Sequence, residues 1–372
     1  MQVLVFGMTS NYGGVESVIM NYYRNFDRTK IRFDFICNTP YKVAYEDELK
    51  NMGSKIYHLP QKRKKPLQYY LKLHSFFKKY GKKYDCLWFN VNNLVNIDCL
   101  KLSEKYGIKR RIVHSHNTRI LATGLEGRIK KRIHNYNKQK MGVYATDFWA
   151  CSNDAAKWMY PHELLTKSRI IKNAINIDLY KFNHNKRESL RKKYKITHDF
   201  VIGNVGRLSY QKNQVFLLKI FKEFNKENKN SKLILIGSGE KEKELELEAK
   251  RLGIEKDVLF LGMIKDTASW YNVFDVFAFP SVFEGLGVAG IEAQANGLPV
   301  VAAEDGIPQE IKINKNFSFL RLNQSAKQWA EELTKHKRIN KQEQINNNFK
   351  NAGFDILVAK EQLEKLFLYG NL

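Results

Sequence analysis

Glu284 and Glu292 lie eight residues apart in Phe279-Pro-Ser-Val-Phe-Glu-Gly-Leu-Gly-Val-Ala-Gly-Ile-Glu-Ala-Gln-Ala-Asn-Gly-Leu-Pro-Val-Val-Ala. An apolar run stops there at a proline, a glycine-containing loop follows, and a helical pattern opens near Gly287 and closes by Gly297. The spacing predicts Glu284 on the loop and Glu292 two turns into the helix. One carboxylate would then face a reacting group while the other meets a second polar part of the same ligand. The backbone N–H groups of Gly285, Leu286, Gly287 and Val288 would stand at a helix N-terminus, which suits a phosphate or the polar edge of a sugar. A glycosidase acid and nucleophile is a competing use of two carboxylates, but it requires them to converge. A structural use, with Glu284 capping the helix and Glu292 solvated, is the other.

A second segment, Gly203-Asn-Val-Gly-Arg-Leu-Ser-Tyr-Gln-Lys-Asn, again joins a strand pattern to a helix and brings Arg207 and Lys212 to the strand's carboxyl end. A planar fork and a compact point charge together suit a diphosphate. Near the start, Asn11-Tyr-Gly-Gly-Val-Glu places Gly13 and Gly14 in a turn and Glu16 in a first helical turn, where the dipole favours a carboxylate. His114 and His116 close another strand; His-x-His can bind a metal, yet no third ligand is apparent in the sequence. Gly237-Ser-Gly-Glu-Lys-Glu puts Glu242 where a dinucleotide fingerprint wants its third glycine, and no Gly-Lys-Ser/Thr P-loop exists. No two aspartates are separated by one residue, so the metal-holding Asp-x-Asp is absent and no divalent metal or other cofactor is expected.

These residues need strands to end on and helices to begin on. Short β-branched and aromatic runs alternate with helical patterns from end to end, which predicts an α/β fold with parallel sheets. One series of strands runs from Gln2 to Ile171 and a second starts afresh at Phe200. The polar stretch between them places a hinge near Asn173 to Lys186. The expected architecture is two Rossmann-like domains facing across a cleft, residues 1–180 and 181–354, with a terminal helix over 355–372 that could pack on either. Ligands of open α/β sheets bind beyond the carboxyl ends of the strands.

The 372 residues hold 63 Lys+Arg against 38 Asp+Glu, a formal net charge of +25. Residues 1–200 hold 39 of the cations and 16 of the anions, a net of +23. The densest clusters are Lys62-Arg63-Lys64-Lys65 and Arg128-Ile129-Lys130-Lys131-Arg132. The helix following the first interleaves aromatic and basic residues, which serves either a core helix with a solvated basic face or an anionic membrane surface. Nucleic-acid binding would use the same charge, but no zinc-finger spacing or RNA-binding aromatic signature accompanies it. No apolar run reaches the ~18 residues of a membrane span. Cys37, Cys86, Cys99 and Cys151 lack CxxC spacing and read as reduced core residues, and the first residues lack a basic leader, so a cytoplasmic protein is expected.

Taken together, Gly13-Gly14-Val15-Glu16, His114-Ser-His116-Asn117, Lys172-Asn173, Gly206-Arg207 through Lys212, Leu261-Gly262, and Glu284 through Glu292 resemble the retaining GT-B glycosyltransferases of family 4. The likeness is to the capsular and exopolysaccharide group and runs over essentially the whole chain. Leu286 stands where that family more often has Phe, and Ala174 where it often has Gly. The resemblance implies an N-terminal acceptor domain and a C-terminal nucleotide-sugar domain that close over both substrates. Donor contacts would come from Gly14, Asn173, Arg207, Lys212, Gly262, Glu284, Gly285, Leu286, Gly287 and Glu292. Arg207 and Lys212 would stabilise the departing diphosphate, Glu284 would bind sugar hydroxyls, Glu292 the ribose, and backbone near Gly262 the base. His116 would contact the donor sugar near the reacting carbon, with His114 as the alternative.

The function so implied is metal-independent, retaining transfer of a sugar from a nucleotide sugar, a UDP-sugar above all, to a lipid-linked oligosaccharide acceptor. Lys62, Arg63, Lys64, Lys65, Arg128, Lys130, Lys131 and Arg132 would dock the enzyme on the anionic inner face of the cell membrane, with no nucleic-acid partner. A sugar-nucleotide epimerase of the same architecture and a non-enzymatic basic nucleic-acid- or membrane-binding protein are the alternatives.

Overall fold

The computed structural model describes residues 1–120, 122 and 124–370. The chain divides into two compact units, Met1–Ala174 together with the terminal helix from Ile356, and Ile175–Asp355. The crossing point, at Ala174 and Ile175, falls at the start of the stretch expected to hold the hinge and six residues before the expected domain boundary.

The first unit is built on seven strands: β1 Gln2–Phe6, β2 Arg32–Cys37, β3 Ile56–His58, β4 Cys86–Val91, β5 Arg110–Ser115, β6 Asp147–Ala150 and β7 Ser168–Ile170. They pair in the order β3-β2-β1-β4-β5-β6-β7, all parallel. β4, Cys-Leu-Trp-Phe-Asn-Val, is buried along its whole length, as a central parallel strand covered by helices on both faces must be. The second unit repeats the plan with β8 Phe200–Val205, β9 Ser231–Ile236, β10 Val258–Phe260, β11 Val276–Phe279, β12 Val300–Ala303 and β13 Phe317–Leu320. Its order is β10-β9-β8-β11-β12-β13, again parallel. In both sheets the order reverses beside the first strand, between β1 and β4 and between β8 and β11. At such a reversal the following loops diverge and leave room for a ligand.

Helices cover both sheets. The helix Gln214–Glu227 buries Leu217, Leu218, Ile220, Phe221 and Phe224 at helical spacing, against a core that includes Leu233, Leu235, Leu245 and Trp329. Each such side chain contributes about 1.5–3 kcal/mol by leaving water. The terminal helix Ile356–Tyr369 crosses back to the first unit, where Phe367 lies among the rings of Phe26, Phe33, Trp88 and Trp149. Arg110 of β5 caps it: its guanidinium donates to the Leu366 and Phe367 carbonyls at 2.5 and 2.8 Å and to the Asp147 carboxylate at 2.7 Å. That satisfies two carbonyls a helix end otherwise leaves open. All four cysteines are buried and free.

The polar stretch between the two strand series was expected to hold a hinge near Asn173 to Lys186. It contains the helix His184–Lys193. Arg187 and Arg191 hold that helix to Asp275 at 2.5 and 2.6 Å and to backbone carbonyls from Asn272 to Phe274. An ion-pair lattice, rather than an apolar stripe, attaches it.

Candidate active site

In the second unit the loops after β8 and β11 carry the predicted residues. Lys212 Nζ lies 2.7 Å from Glu284 Oε1, with side-chain exposures of 16% and 8%. Gln211 joins them, donating to the Phe283 carbonyl at 3.0 Å, while Asn213 donates to the Pro280 carbonyl at 3.1 Å. Gly206 explains how the lysine gets there: a Cβ at that position would stand 2.9 Å from Lys212 Cε, so the aliphatic stem crosses directly over the glycine. Glu284 therefore does not cap the helix that follows. Gly287 occupies the cap position of Val288–Ala295 with φ of 98°, a conformation that favours glycine, and a Cβ there would meet the Phe279 ring at 2.9 Å. Gln294 anchors the far end, donating to the Gly290 and Ile311 carbonyls and accepting from the Ile313 and Asn314 amides.

Glu292 is not a solvated helix residue. Its two oxygens accept hydrogen bonds from Tyr180 at 2.8 Å and Tyr271 at 2.7 Å. Burial pushes its carboxyl above the usual carboxylate range, opposed by the two phenols and the Lys212 charge. The two carboxylates thus have different company, an ammonium for Glu284 and two phenols for Glu292. Tyr180 and Tyr271 lie 112 and 21 residues from Glu292 in the chain, and nothing in the sequence pattern names them. Arg207 does not share the Lys212 pocket: it is 61% exposed and paired at 3.0 Å with Glu240, itself 54% exposed. Gly262 follows β10 with φ of 63°, and its carbonyl accepts from the Gly237 amide at 2.8 Å.

In the first unit His116 follows β5 and reaches Asn90, at the end of β4, with Nε2 to Oδ1 of 2.8 Å. The Asn90 amide nitrogen donates to the Phe6 and Trp88 carbonyls, so Oδ1 is the acceptor and His116 carries its proton on Nε2. His116 Nδ1 is then a buried lone pair with no partner among the described residues. His114 is fully buried and accepts at Nδ1 from the Trp88 indole at 3.3 Å. His116, 9% exposed, is the nearer of the two to solvent. Asn173 also keeps a buried, unpartnered Oδ1. A buried polar atom left unpaired costs about 1–3 kcal/mol, which a ligand hydroxyl or amide would offset. Glu16, next to Gly13 and Gly14, holds the preceding loop by accepting from the Thr9 amide at 3.1 Å and hydroxyl at 2.5 Å. The signal for Asn90 was present in the sequence as a polar residue interrupting the apolar run of β4. No group of three or more metal-ligating side chains occurs among the described residues.

Both histidines are held neutral by burial, His116 at a pKa of about 3 and His114 well below its ordinary value. Below pH 6.5 the unfolded chain takes up protons that the folded chain refuses. Stability is therefore full above that pH and falls as the pH drops toward 3, by about 1.4 kcal/mol per unit for each histidine. Urea unfolding of the intact protein at pH 7.5 and 5.5 should show this loss, and His116→Gln should reduce it. An unchanged slope in the variant would contradict the neutral, buried imidazole.

The predicted basic surface is only partly available. Lys62 is engaged by Asp98 at 2.5 Å and lies over the Tyr70 ring, and Lys130 pairs with Glu126 at 2.7 Å. Arg63, Lys64, Lys65, Arg128, Lys131 and Arg132 are exposed. The helix Pro66–Tyr80 is a core helix along one side, burying Tyr69, Leu73, Phe76 and Phe77. No described helix is long and apolar enough to cross a membrane.

Residues 186–353, which carry Arg207, Lys212, Glu284 and Glu292, match the family described as Glycosyl transferases group 1. The matched segment lies within the second unit. It includes both loops and the Gly287-capped helix, so the Lys212–Glu284 pair sits inside it. Relatives extend over more of the chain. EpsF of Bacillus subtilis, a glycosyltransferase by assignment, is 28% identical over 93% of this chain and 90% of its own length. The capsular polysaccharide biosynthesis glycosyltransferase CapH of Staphylococcus aureus is 26% identical over 96% of each. An Escherichia coli UDP-Gal:alpha-D-GlcNAc-diphosphoundecaprenol alpha-1,3-galactosyltransferase is 26% identical over 58% of this chain and 62% of its own. Among solved structures, Anabaena HepE in complex with UDP and glucose superposes with a TM-score of 0.80 at 19% identity, covering 99% of this chain and 100% of HepE. That likeness establishes the fold: two Rossmann-like units of the GT-B kind.

Proposed function

We propose that this protein is a retaining, metal-independent hexosyltransferase that moves a sugar from a UDP-sugar to a lipid-linked oligosaccharide in capsular or exopolysaccharide synthesis. The observation that carries the proposal is the buried Lys212–Glu284 pair beside Glu292, set at the topological reversal of the group 1 domain's sheet. HepE's bound UDP and glucose support a UDP-sugar donor, and the E. coli relative's name supports a diphosphoundecaprenol-linked acceptor. EpsF and CapH support the polysaccharide setting.

In this mechanism the bond from the anomeric carbon to the diphosphate oxygen breaks as an acceptor hydroxyl attacks the same face. The hydroxyl proton passes to the departing phosphate. Lys212, and Arg207 from the rim, supply the positive charge that developing phosphate oxygens need, with the first amides of the Val288–Ala295 helix, so that no divalent ion is required. Glu284 orders sugar hydroxyls and Glu292 the ribose, with base contacts at Gly262. His116, neutral and with Nδ1 open, accepts a hydrogen bond from the donor sugar. Arg63, Lys64, Lys65, Arg128, Lys131 and Arg132 hold the enzyme at the anionic inner face of the membrane, where such acceptors lie.

The test is transfer from UDP-sugars to undecaprenyl-diphosphate-linked acceptors in excess EDTA, with the product's anomeric configuration read by NMR. Transfer in EDTA with the donor's configuration kept is expected. Inverted product would overturn retention, and activity restored only by Mg²⁺ would overturn metal independence. Conversion of the UDP-sugar without any acceptor would indicate an epimerase instead.

A further inference from the structure

The helix Gly124–Gln139 is built inside out. The residues it turns inward are Gly127, His134 and Asn137, all buried. His134 stacks on Trp158 with ring centroids 4.1 Å apart and accepts from the Leu94 amide at 3.0 Å, and Asn137 donates to the Leu94 carbonyl at 2.6 Å. Its outward side instead carries Leu125, Ile129, Ile133 and Tyr136, exposed by 72%, 48%, 39% and 59%. Positions 125, 129, 132 and 136 recur every three or four residues and so form one stripe along the helix. In a water-facing helix those positions are polar and the apolar stripe packs on the core. Here the packing is done by hydrogen bonds and a stacked imidazole; on the outward side Tyr136 is met by Lys140, whose ammonium lies 4.3 Å from the ring centroid, while Leu125, Ile129 and Ile133 stay exposed.

The cations identify the occupant. Arg132 lies within the stripe, Arg128 and Lys131 flank it, and none of the three forms an ion pair among the described residues. At the helix start Glu126 pairs with Lys130 at 2.7 Å, and the Lys130 hydrogen bond, followed by weaker causes that include the charge of Arg63 from the 62–65 cluster, holds its carboxyl below the usual range. Leu67 and Leu71, 70% and 63% exposed, follow that cluster on the next helix. Apolar side chains for a hydrocarbon layer, ringed by cations for phosphate headgroups, complement an anionic phospholipid bilayer.

We propose that the Gly124–Gln139 helix lies in the bilayer interface and inserts Leu125, Ile129 and Tyr136 among the acyl chains, with Arg128 and Arg132 on lipid phosphates. This deepens, and rests on, the membrane-side part of the function proposed above: the contact is apolar insertion as well as charge attraction. Because the stripe is solvent-exposed in the folded chain, replacing it leaves the core untouched.

The experiment is sedimentation of the intact protein with phosphatidylcholine vesicles, with and without phosphatidylglycerol, at low and high salt. UDP-induced thermal shift serves as the folding and donor-site control. Wild type is expected to bind phosphatidylglycerol vesicles with a fraction that survives high salt. Leu125→Ser/Ile129→Ser should lose that fraction and bind at least about tenfold more weakly, while Arg128→Gln/Arg132→Gln should lose the preference for anionic lipid. Equal binding by Leu125→Ser/Ile129→Ser and wild type would overturn insertion and leave charge docking standing. Absence of wild-type binding to any vesicle would overturn both, with the donor site judged separately by the UDP shift. A dimer in sedimentation velocity that the serine variant dissociates would overturn the proposal by assigning the stripe to a second copy of the chain.

Discussion

Lys212→Ala is expected to lower kcat/KM for sugar transfer by on the order of 100- to 1,000-fold, the effect of removing one preorganised group from a site of developing charge. Lys212 is fixed before any ligand arrives, its stem laid over Gly206, its ammonium 2.7 Å from Glu284 and 5.2 Å from the Phe279 ring centroid. The same substitution removes the ammonium that pairs with the buried Glu284 carboxylate, a loss of about 3–5 kcal/mol for a broken buried pair. Activity and stability must therefore be separated. Lys212→Ala combined with Glu284→Gln should recover most of the lost melting temperature and none of the transfer. Recovery of transfer in the double variant would remove both residues from the mechanism. Arg207→Ala makes the contrast: its partner Glu240 is as open to solvent as itself, so melting should not move.

Phe367→Ala is expected to destabilise the first unit by about 3–5 kcal/mol, the cost of a cavity where a large buried ring stood. Phe367 is 1% exposed and its centroid lies 5.3 to 6.0 Å from those of Trp149, Trp88, Phe33 and Phe26. The terminal helix is thereby part of the first unit's core although the whole second unit intervenes in sequence. Urea unfolding followed by tryptophan fluorescence should show an early transition for the first unit, with UDP binding to the second retained below it. A shift under about 1 kcal/mol would mean the helix is an ornament.

The thirteen described strands could be placed from the sequence, most of them because they are short apolar runs set off by polar or glycine-rich turns, as burial on both faces requires, whereas the half-buried edge strands β3 and β7 are short and mixed. Helices that are polar nearly all round were not legible. Glu46–Asn51 and His184–Lys193 carry little apolar periodicity, and the latter is held by Arg187 and Arg191 to Asp275, more than 80 residues away. The candidate site divides in the same manner. Glu284, Lys212 and His116 follow strand ends and Glu292 lies in the helix Val288–Ala295, all in recognisable local patterns. Their partners Tyr180 and Tyr271 are set by tertiary packing, which leaves no spacing to read, whereas Asn90 interrupts the apolar run of β4. The Gly124–Gln139 helix misleads for a different reason: its basic cluster is conspicuous, whereas the direction its leucine and isoleucines face depends on His134 and Asn137 finding Trp158 and Leu94.

The central claim is a metal-free nucleotide-sugar site on the group 1 domain. A thermal-shift screen of the intact protein in EDTA, against UDP, GDP, ADP, CMP and their common sugar conjugates, tests it most directly, because binding to the folded state raises the melting temperature by mass action. The account predicts a clear shift with UDP and a UDP-sugar, absent in the Lys212→Ala/Glu284→Gln protein. A folded wild-type sample that shifts with none of these nucleotides would contradict it.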